Sequence, residues 1–303
     1  MSEFLLAEAI KTALPSLCIK TEEPMSEHTS FRIGGAAEVF AMPADEQELS
    51  ELLLLSRRLG AAVTVIGNGT NLLVSGEGVR GVVIRLGEGF CGAERTGENT
   101  VRAGAGISLA QLAVFARANS LTGLEFAHGI PGSLGGAVIM NAGAYGGEMK
   151  DVLKSVRSMT LSGEIKEYSR GELALSYRHS RFSDSGEIVI SADVELKTGD
   201  ADAIGEQMRA LMAKRSASQP LDKPSAGSTF KRPATGYAAA MIDGAGLKGF
   251  GIGGAQVSEK HAGFVINRGG ASFEDVLAVM EYVKCAVKEK YGVELEAEVK
   301  ILR

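Results

Sequence analysis

Residues 129–147 read GIPGSLGGAVIMNAGAYGG, and seven of these nineteen positions are glycine. A flexible linker is a poor reading, because Ile130, Leu134, Val138, Ile139 and Met140 are apolar and want burial. A tightly packed turn and a surface where the backbone touches a ligand both remain open. A second glycine loop, VIGNGTNLLV at 65–74, closes an apolar, β-branched segment. Neither loop carries GxGxxG, since the third position after Gly67 and Gly69 is Leu72, and no GK[ST] occurs. The dinucleotide fingerprint and the phosphate loop are thereby excluded. Their physics still applies, because successive exposed amides form a nest that holds a diphosphate without lysine. Asn71 and Ser133 could add side-chain donors. For either loop alone, a tight turn packed on a sheet is an equal reading. Two such loops in one α/β chain tilt towards a dinucleotide bound across both.

Working outward, residues 1–25 read as a helical arm followed by a loop. AAEVFAM at 36–42 is a strand, Asp45 opens the helix EQELSELLLLSRRL, and Gly60 closes it. AAVTVIG at 61–67 has the composition of a buried parallel strand, and VRGVVIRL at 79–86 is another, which makes a βαβ unit over 36–86. TVRAGAG follows, and Ser108 caps a helix over 109–119 whose Leu109, Leu112, Phe115 and Ala116 keep helical spacing. SVRSMTL and EIKEYS alternate as hairpin strands, and EIVISADVEL at 187–196 is a further strand. A boundary is expected near 198–204. Beyond it come a helix over 201–215, a loop-like segment at 216–236 and a helix opened by a Ser272–Asp275 capping box. VELEAEVKIL reads as a closing strand that puts Glu294, Glu296 and Glu298 on one face.

The chain has 303 residues, an ordinary globular balance of 45% hydrophobic and 23% charged residues, and a net charge of −5. That charge argues against nucleic-acid partners. Cys18, Cys91 and Cys285 form no CxxC and suggest no disulfide framework. The four histidines lack HxxxH spacing, so no metal site is expected. No apolar run is long enough for a membrane span or a signal peptide, and the expectation is a cytoplasmic protein.

HTSFRIGG at 28–35, the two glycine loops, YRHSRF at 177–182, SAGSTFKRP at 225–233, AGLKGFGIGGAQVSEKHAGFVIN at 245–267 and LEAEV at 295–299 occur in one order. In that order and over nearly the whole chain, the sequence resembles the UDP-N-acetylenolpyruvoylglucosamine reductase family. It is similar to the shorter class, which lacks an inserted tyrosine-bearing loop. The resemblance implies an α+β protein. An FAD-binding fold of the vanillyl-alcohol oxidase/p-cresol methylhydroxylase type would occupy subdomains 26–88 and 89–200, after the arm 1–25. A C-terminal α/β substrate-binding domain would fill 201–303.

The same resemblance implies non-covalent FAD with NADPH as reductant. Ile66, Gly67, Asn68, Gly69, Thr70, Asn71 and Leu72 would hold FAD from the first loop. Gly129, Pro131, Gly132, Ser133, Gly135, Gly136, Ala137, Asn141 and Ala142 would hold it from the second. UDP-N-acetylglucosamine enolpyruvate would be reduced to UDP-N-acetylmuramate by a monomer. Arg178, Ser228 and Glu298 match the family's catalytic set, as carboxylate clamp, proton donor and catalytic glutamate. Glu296 is the competitor for the last role, and Lys231 is a candidate positive neighbour for Ser228. Tyr177, Lys231, Arg232, Lys248, Lys260 and His261 match stretches that would meet the substrate. Arg232 stands where the family usually has asparagine, Thr70 where it has serine, and Gly76 where aspartate is common. Outside the resemblance, a lone arginine is more often a surface ion pair, and a lone turn serine or lysine is usually solvated. An FAD-dependent oxidase of an alcohol or hydroxy acid on the same fold is the alternative, with His128 as a candidate tether.

Overall fold

Asp45 accepts the Glu48 N–H at 2.9 Å and so starts the helix Glu46–Leu59, while Gly60, at φ 66°, stops it in a left-handed cap. The computed structural model describes residues 3–303 and contains the expected βαβ unit. Its sheet runs in the order Cys18–Pro24, Ala36–Met42, Val79–Arg85, Val63–Ile66, with the last two strands parallel. The strand expected to be buried, Val63–Ile66, lies at the sheet edge and only Ile66 is buried. The N-terminal segment also differs from an arm and loop. The helix Glu3–Ala13 buries Leu6, Ala7 and Ile10 among Leu49, Leu52 and Val82, and Cys18–Pro24 is a paired strand. Burying those apolar side chains is what draws the segment in. The first two residues of the expected arm lie outside the described residues.

A second sheet is antiparallel throughout, in the order Ile165–Ser169, Leu153–Met159, Ile188–Glu195, Thr100–Gly104, Ala93–Arg95. Ser108 and Gln111 form a reciprocal capping box on the helix Leu109–Ala118. The opening glycine run contains a short helix, Leu134–Ile139, that buries Leu134 and Val138 in the core of this sheet.

The chain divides into two compact units. The first comprises residues 1–22, 38–68 and 80–214, and the second residues 23–37, 69–79 and 215–303. The division falls after Lys214, inside the helix Ala201–Ser218, rather than near 198–204. Ile204 and Met208 of that helix belong to the first unit's core, which holds its N-terminal half there.

In the second unit the strands Gly251–Ile252, Ala255–Val257 and Val265–Asn267 form an antiparallel sheet. The helix Phe273–Tyr291 lays Val276, Val279, Met280 and Val283 on it. The expected closing strand is shorter than its alternation suggests. Only Lys300–Leu302 is strand, paired in parallel with Leu72–Val74, and Ala297 makes an isolated bridge to Phe230.

Candidate active site

The two glycine loops meet inside the first unit, around a cavity of about 320 Å³. Gly67 and Asn68 form one wall, Ser133, Gly135 and Gly136 another, and the exposed faces of Val63 and Val65 a third. The half-buried edge strand is therefore a cavity wall. A Cβ on Gly67 would stand 2.4 Å from Ser133 Oγ, and one on Gly135 would stand 3.0 Å from Ala105 Cβ. A side chain at either position would force its neighbour to shift. Cys91 also lines the cavity, and burial pushes its thiol above the ordinary value against the pull of Arg85. It stays a neutral thiol, a poor nucleophile for a covalent tether.

Four of the amides of the second run, those of Gly132, Leu134, Gly135 and Ala137, are not available for the expected nest. Gly132 N–H donates to Ile130 O at 2.9 Å, Leu134 to Ile107 O at 2.9 Å, Gly135 to Ala105 O at 2.8 Å and Ala137 to Ser133 O at 2.9 Å. Gly136 N–H makes a long 3.5 Å contact with Ser133 Oγ. Folding a short helix on a sheet consumes these donors, so the run contributes shape. The first loop behaves differently. Among the described residues, the backbone N–H groups of Asn68, Gly69, Thr70 and Asn71 make no hydrogen bond. Gly69 has φ 62°, and a Cβ there would lie 1.8 Å from the His28 carbonyl oxygen. Four consecutive amides without partners among the described residues fit a dinucleotide diphosphate.

Two asparagines expected to face the cofactor are engaged elsewhere. Asn71 Nδ2 donates to the Glu298 carbonyl at 3.0 Å, while its own carbonyl accepts Lys300 N–H at 2.9 Å. Asn141 is buried, and its side chain is bonded to Glu148, Lys150 and Ser176. Neither role is visible in a motif. The available signal was an asparagine just past each glycine cluster.

Arg178 belongs to the first unit and has φ 55°. Ser176 and His179 exchange backbone bonds, leaving Tyr177 and Arg178 at the tip of a tight turn. The left-handed third position of such a turn favours glycine, and an arginine there costs about 1–2 kcal/mol. Strain of this kind collects at functional sites. The guanidinium lies 5.2 Å from the centre of the half-exposed Tyr177 ring.

Ser228 and Glu298 belong to the second unit, on neighbouring segments. Thr229 N–H donates to Gly263 O at 2.8 Å, and Thr229 O accepts Glu298 N–H at 2.9 Å. Ser228 is half-buried, and its hydroxyl makes no hydrogen bond among the described residues. Lys231 is not a neighbour held for Ser228, because its ammonium forms an ion pair with Glu296. The same pair engages Glu296, whose side chain is exposed. Glu294 is held by Lys288 at 2.5 Å, which draws its pKa below the usual value.

The remaining basic side chains are also engaged. Lys248 pairs with Asp243 at 2.8 Å, Lys260 donates to Ser216 O at 2.6 Å, and the Arg232 guanidinium sits 4.1 Å from the Tyr237 ring centre. His261 accepts Gly263 N–H at 3.1 Å and meets Phe264 edge-on. Burial lowers its pKa, with Lys248 acting in the same direction.

Comparison with known proteins matches this arrangement. Residues 37–169 fit the family model of an FAD binding domain, and residues 219–302 fit that of the C-terminal domain of UDP-N-acetylenolpyruvoylglucosamine reductase. The chain is 48% identical to the UDP-N-acetylenolpyruvoylglucosamine reductase of Agathobacter rectalis, over 97% of each chain. It is 47% identical to that of Caldanaerobacter subterraneus, over 98% of each. The crystal structure of the Thermus caldophilus reductase superposes with a TM-score of 0.82 at 34% identity, covering 95% of this chain and all of that one.

Proposed function

Since the chain belongs to the UDP-N-acetylenolpyruvoylglucosamine reductase family, we propose that it reduces the enolpyruvyl ether of UDP-N-acetylglucosamine enolpyruvate to UDP-N-acetylmuramate. The product is a peptidoglycan precursor, NADPH is the reductant, and the enzyme acts as a cytoplasmic monomer. A hydride adds to the terminal methylene carbon, a proton adds to the carbon bearing the carboxylate, and NADPH becomes NADP+.

The residues that would hold FAD are Ile66, Gly67, Asn68, Gly69, Thr70, Asn71 and Leu72 of the first loop, through the free amides of Asn68 to Asn71, and Ser133, Gly135 and Gly136 of the second. Gly129, Pro131, Gly132, Ala137 and Ala142 shape the second loop. When bound, FAD would supply hydride chemistry, with NADPH as the two-electron reductant. Everything else falls to side chains. Arg178 forks its guanidinium onto the substrate carboxylate and stabilises charge that grows as the hydride adds. Ser228 Oγ–H delivers the proton to carbon, and a protonated Glu298 donates to the developing enolate. Tyr177, Lys231, Arg232, Lys248 and His261 contact the UDP-sugar.

The observation that carries this reading is the Ser228 hydroxyl, which makes no hydrogen bond among the described residues, on a segment bonded directly to that of Glu298. The purified protein is expected to be yellow, bleached by NADPH without oxygen, and reoxidised by the enolpyruvyl UDP-sugar. Failure of the sugar to reoxidise it sinks the assignment. Ser228→Ala should slow the sugar-dependent half-reaction by about 10²- to 10⁴-fold and spare flavin reduction. Equal losses in both halves would remove Ser228 from the proton-donor role.

A further inference from the structure

The YRHS turn is tethered to the second glycine run on both sides of its tip. The Ser176 carbonyl, which already accepts His179 N–H at 3.3 Å, also accepts Asn141 Nδ2–H at 3.0 Å. Past the tip, Ser180 Oγ–H donates to the Ile139 carbonyl at 2.9 Å, and Ser183 Oγ–H reaches the same oxygen at 3.2 Å. Asn141 is 1% exposed and Ser180 0%. Each tether is therefore a part-buried hydrogen bond anchored on a buried side chain, costly to leave half-made.

The Asn141 amide has one orientation only. Its Oδ1 accepts Lys150 N–H at 2.9 Å, and its Nδ2 donates to Glu148 Oε2 at 2.8 Å. A peptide N–H only donates and a carboxylate only accepts, so a flip would break both bonds. Glu148 is itself fixed by Lys150 Nζ at 3.0 Å. Asn141 adopts φ 40°, a region that asparagine tolerates better than most residues. Local closure of the turn does not need this side chain, because Ser176 and His179 already bond each other. The tether fixes where the turn stands on the glycine run.

We infer that Asn141 is a positioning residue for Arg178, holding the turn that carries the guanidinium against the end of the glycine helix. The inference rests on the reductase reading above, in which Arg178 meets the substrate carboxylate.

The test uses holoenzyme carrying Asn141→Gly, which leaves the left-handed backbone accessible and deletes the amide. The sugar-dependent half-reaction should slow by about 10- to 100-fold, as misplacement of a catalytic group does. Flavin reduction by NADPH should slow far less. In an Arg178→Ala background the same change should have little further effect, because a residue acting through Arg178 has nothing left to position. Additive losses, or equal slowing of both halves, overturn the inference. If Asn141→Gly does not retain flavin, Ser180→Ala combined with Ser183→Ala removes the other tether and is judged in the same cycle. Wild-type enzyme that the UDP-sugar fails to reoxidise refutes the reductase reading. Wild-type enzyme that is reoxidised, beside tether variants equally fast, refutes the positioning role alone.

Discussion

In the loop at 67–71, four consecutive backbone N–H groups make no hydrogen bond among the described residues. In the run at 129–147, those of Gly132, Leu134, Gly135 and Ala137 all donate within the first unit. The glycines serve different ends accordingly. Gly69 is needed for its left-handed backbone beside the His28 carbonyl, whereas Gly135 is needed so that a helix can lie against Ala105. Both loops carry an asparagine that bonds the backbone of a segment bearing a proposed catalytic residue, Asn71 to Glu298 itself and Asn141 to the Arg178 turn. Glycine content marks close approach. Where the amides go decides whether that approach serves a ligand or the fold.

The largest effect should come from Gly69→Ala. Its Cβ would collide with the backbone at 1.8 Å on top of a positive φ, a cost of about 3 kcal/mol or more. The protein should purify with little flavin, measured as the flavin-to-protein ratio. A full complement of flavin would break the contrast between the loops. Arg178→Gly should separate strain from function. Relief of the φ 55° position raises unfolding stability by about 1 kcal/mol, while the sugar-dependent half-reaction loses about 3 kcal/mol of transition-state stabilisation. Thermal melts and stopped-flow traces that move the same way would contradict that split.

Gly136→Ala should change stability by about 1 kcal/mol at most, and in the favourable direction. Position 136 is helical, and its Cβ meets nothing closer than Ser133 Oγ at 3.6 Å. Because Gly136 also lines the cavity, flavin affinity should fall while the melting temperature holds or rises. A parallel drop in both would mean that the run is packing alone.

The smallest effect lies outside both loops. Burial lowers the His261 pKa below 6.5, so the unfolded chain binds the proton more readily. This residue's contribution to stability is intact above about pH 6.5 and is lost as pH falls through the lowered value. His261→Phe should flatten that part of the stability–pH curve, followed by chemical denaturation at several pH values.

The helices with clear caps were legible in the sequence. Asp45 to Gly60 and Ser272 to Gly292 are bounded by residues whose local chemistry starts and stops a helix wherever they occur. Four of the second sheet's five strands were legible, the hairpin pair by alternation, while the short edge strand Ala93–Arg95 was not. The Val63–Ile66 strand read as buried because its composition is that of a central parallel strand, and composition does not reveal that one face lines a cavity. LEAEV read as continuous strand because alternation shows which side chains share a face, not which backbone groups find partners.

By itself the sequence determined the family, the two glycine loops and the residue types a flavin-dependent reduction needs. Each of these rests on local order along the chain. Tertiary structure alone decided which loop keeps its amides available, that Lys231 pairs with Glu296, and that Asn71 and Asn141 bind carbonyls 227 and 35 residues away. The physical reason is that a hydrogen-bond donor's partner is set by where distant backbone lies after folding, which no local pattern encodes.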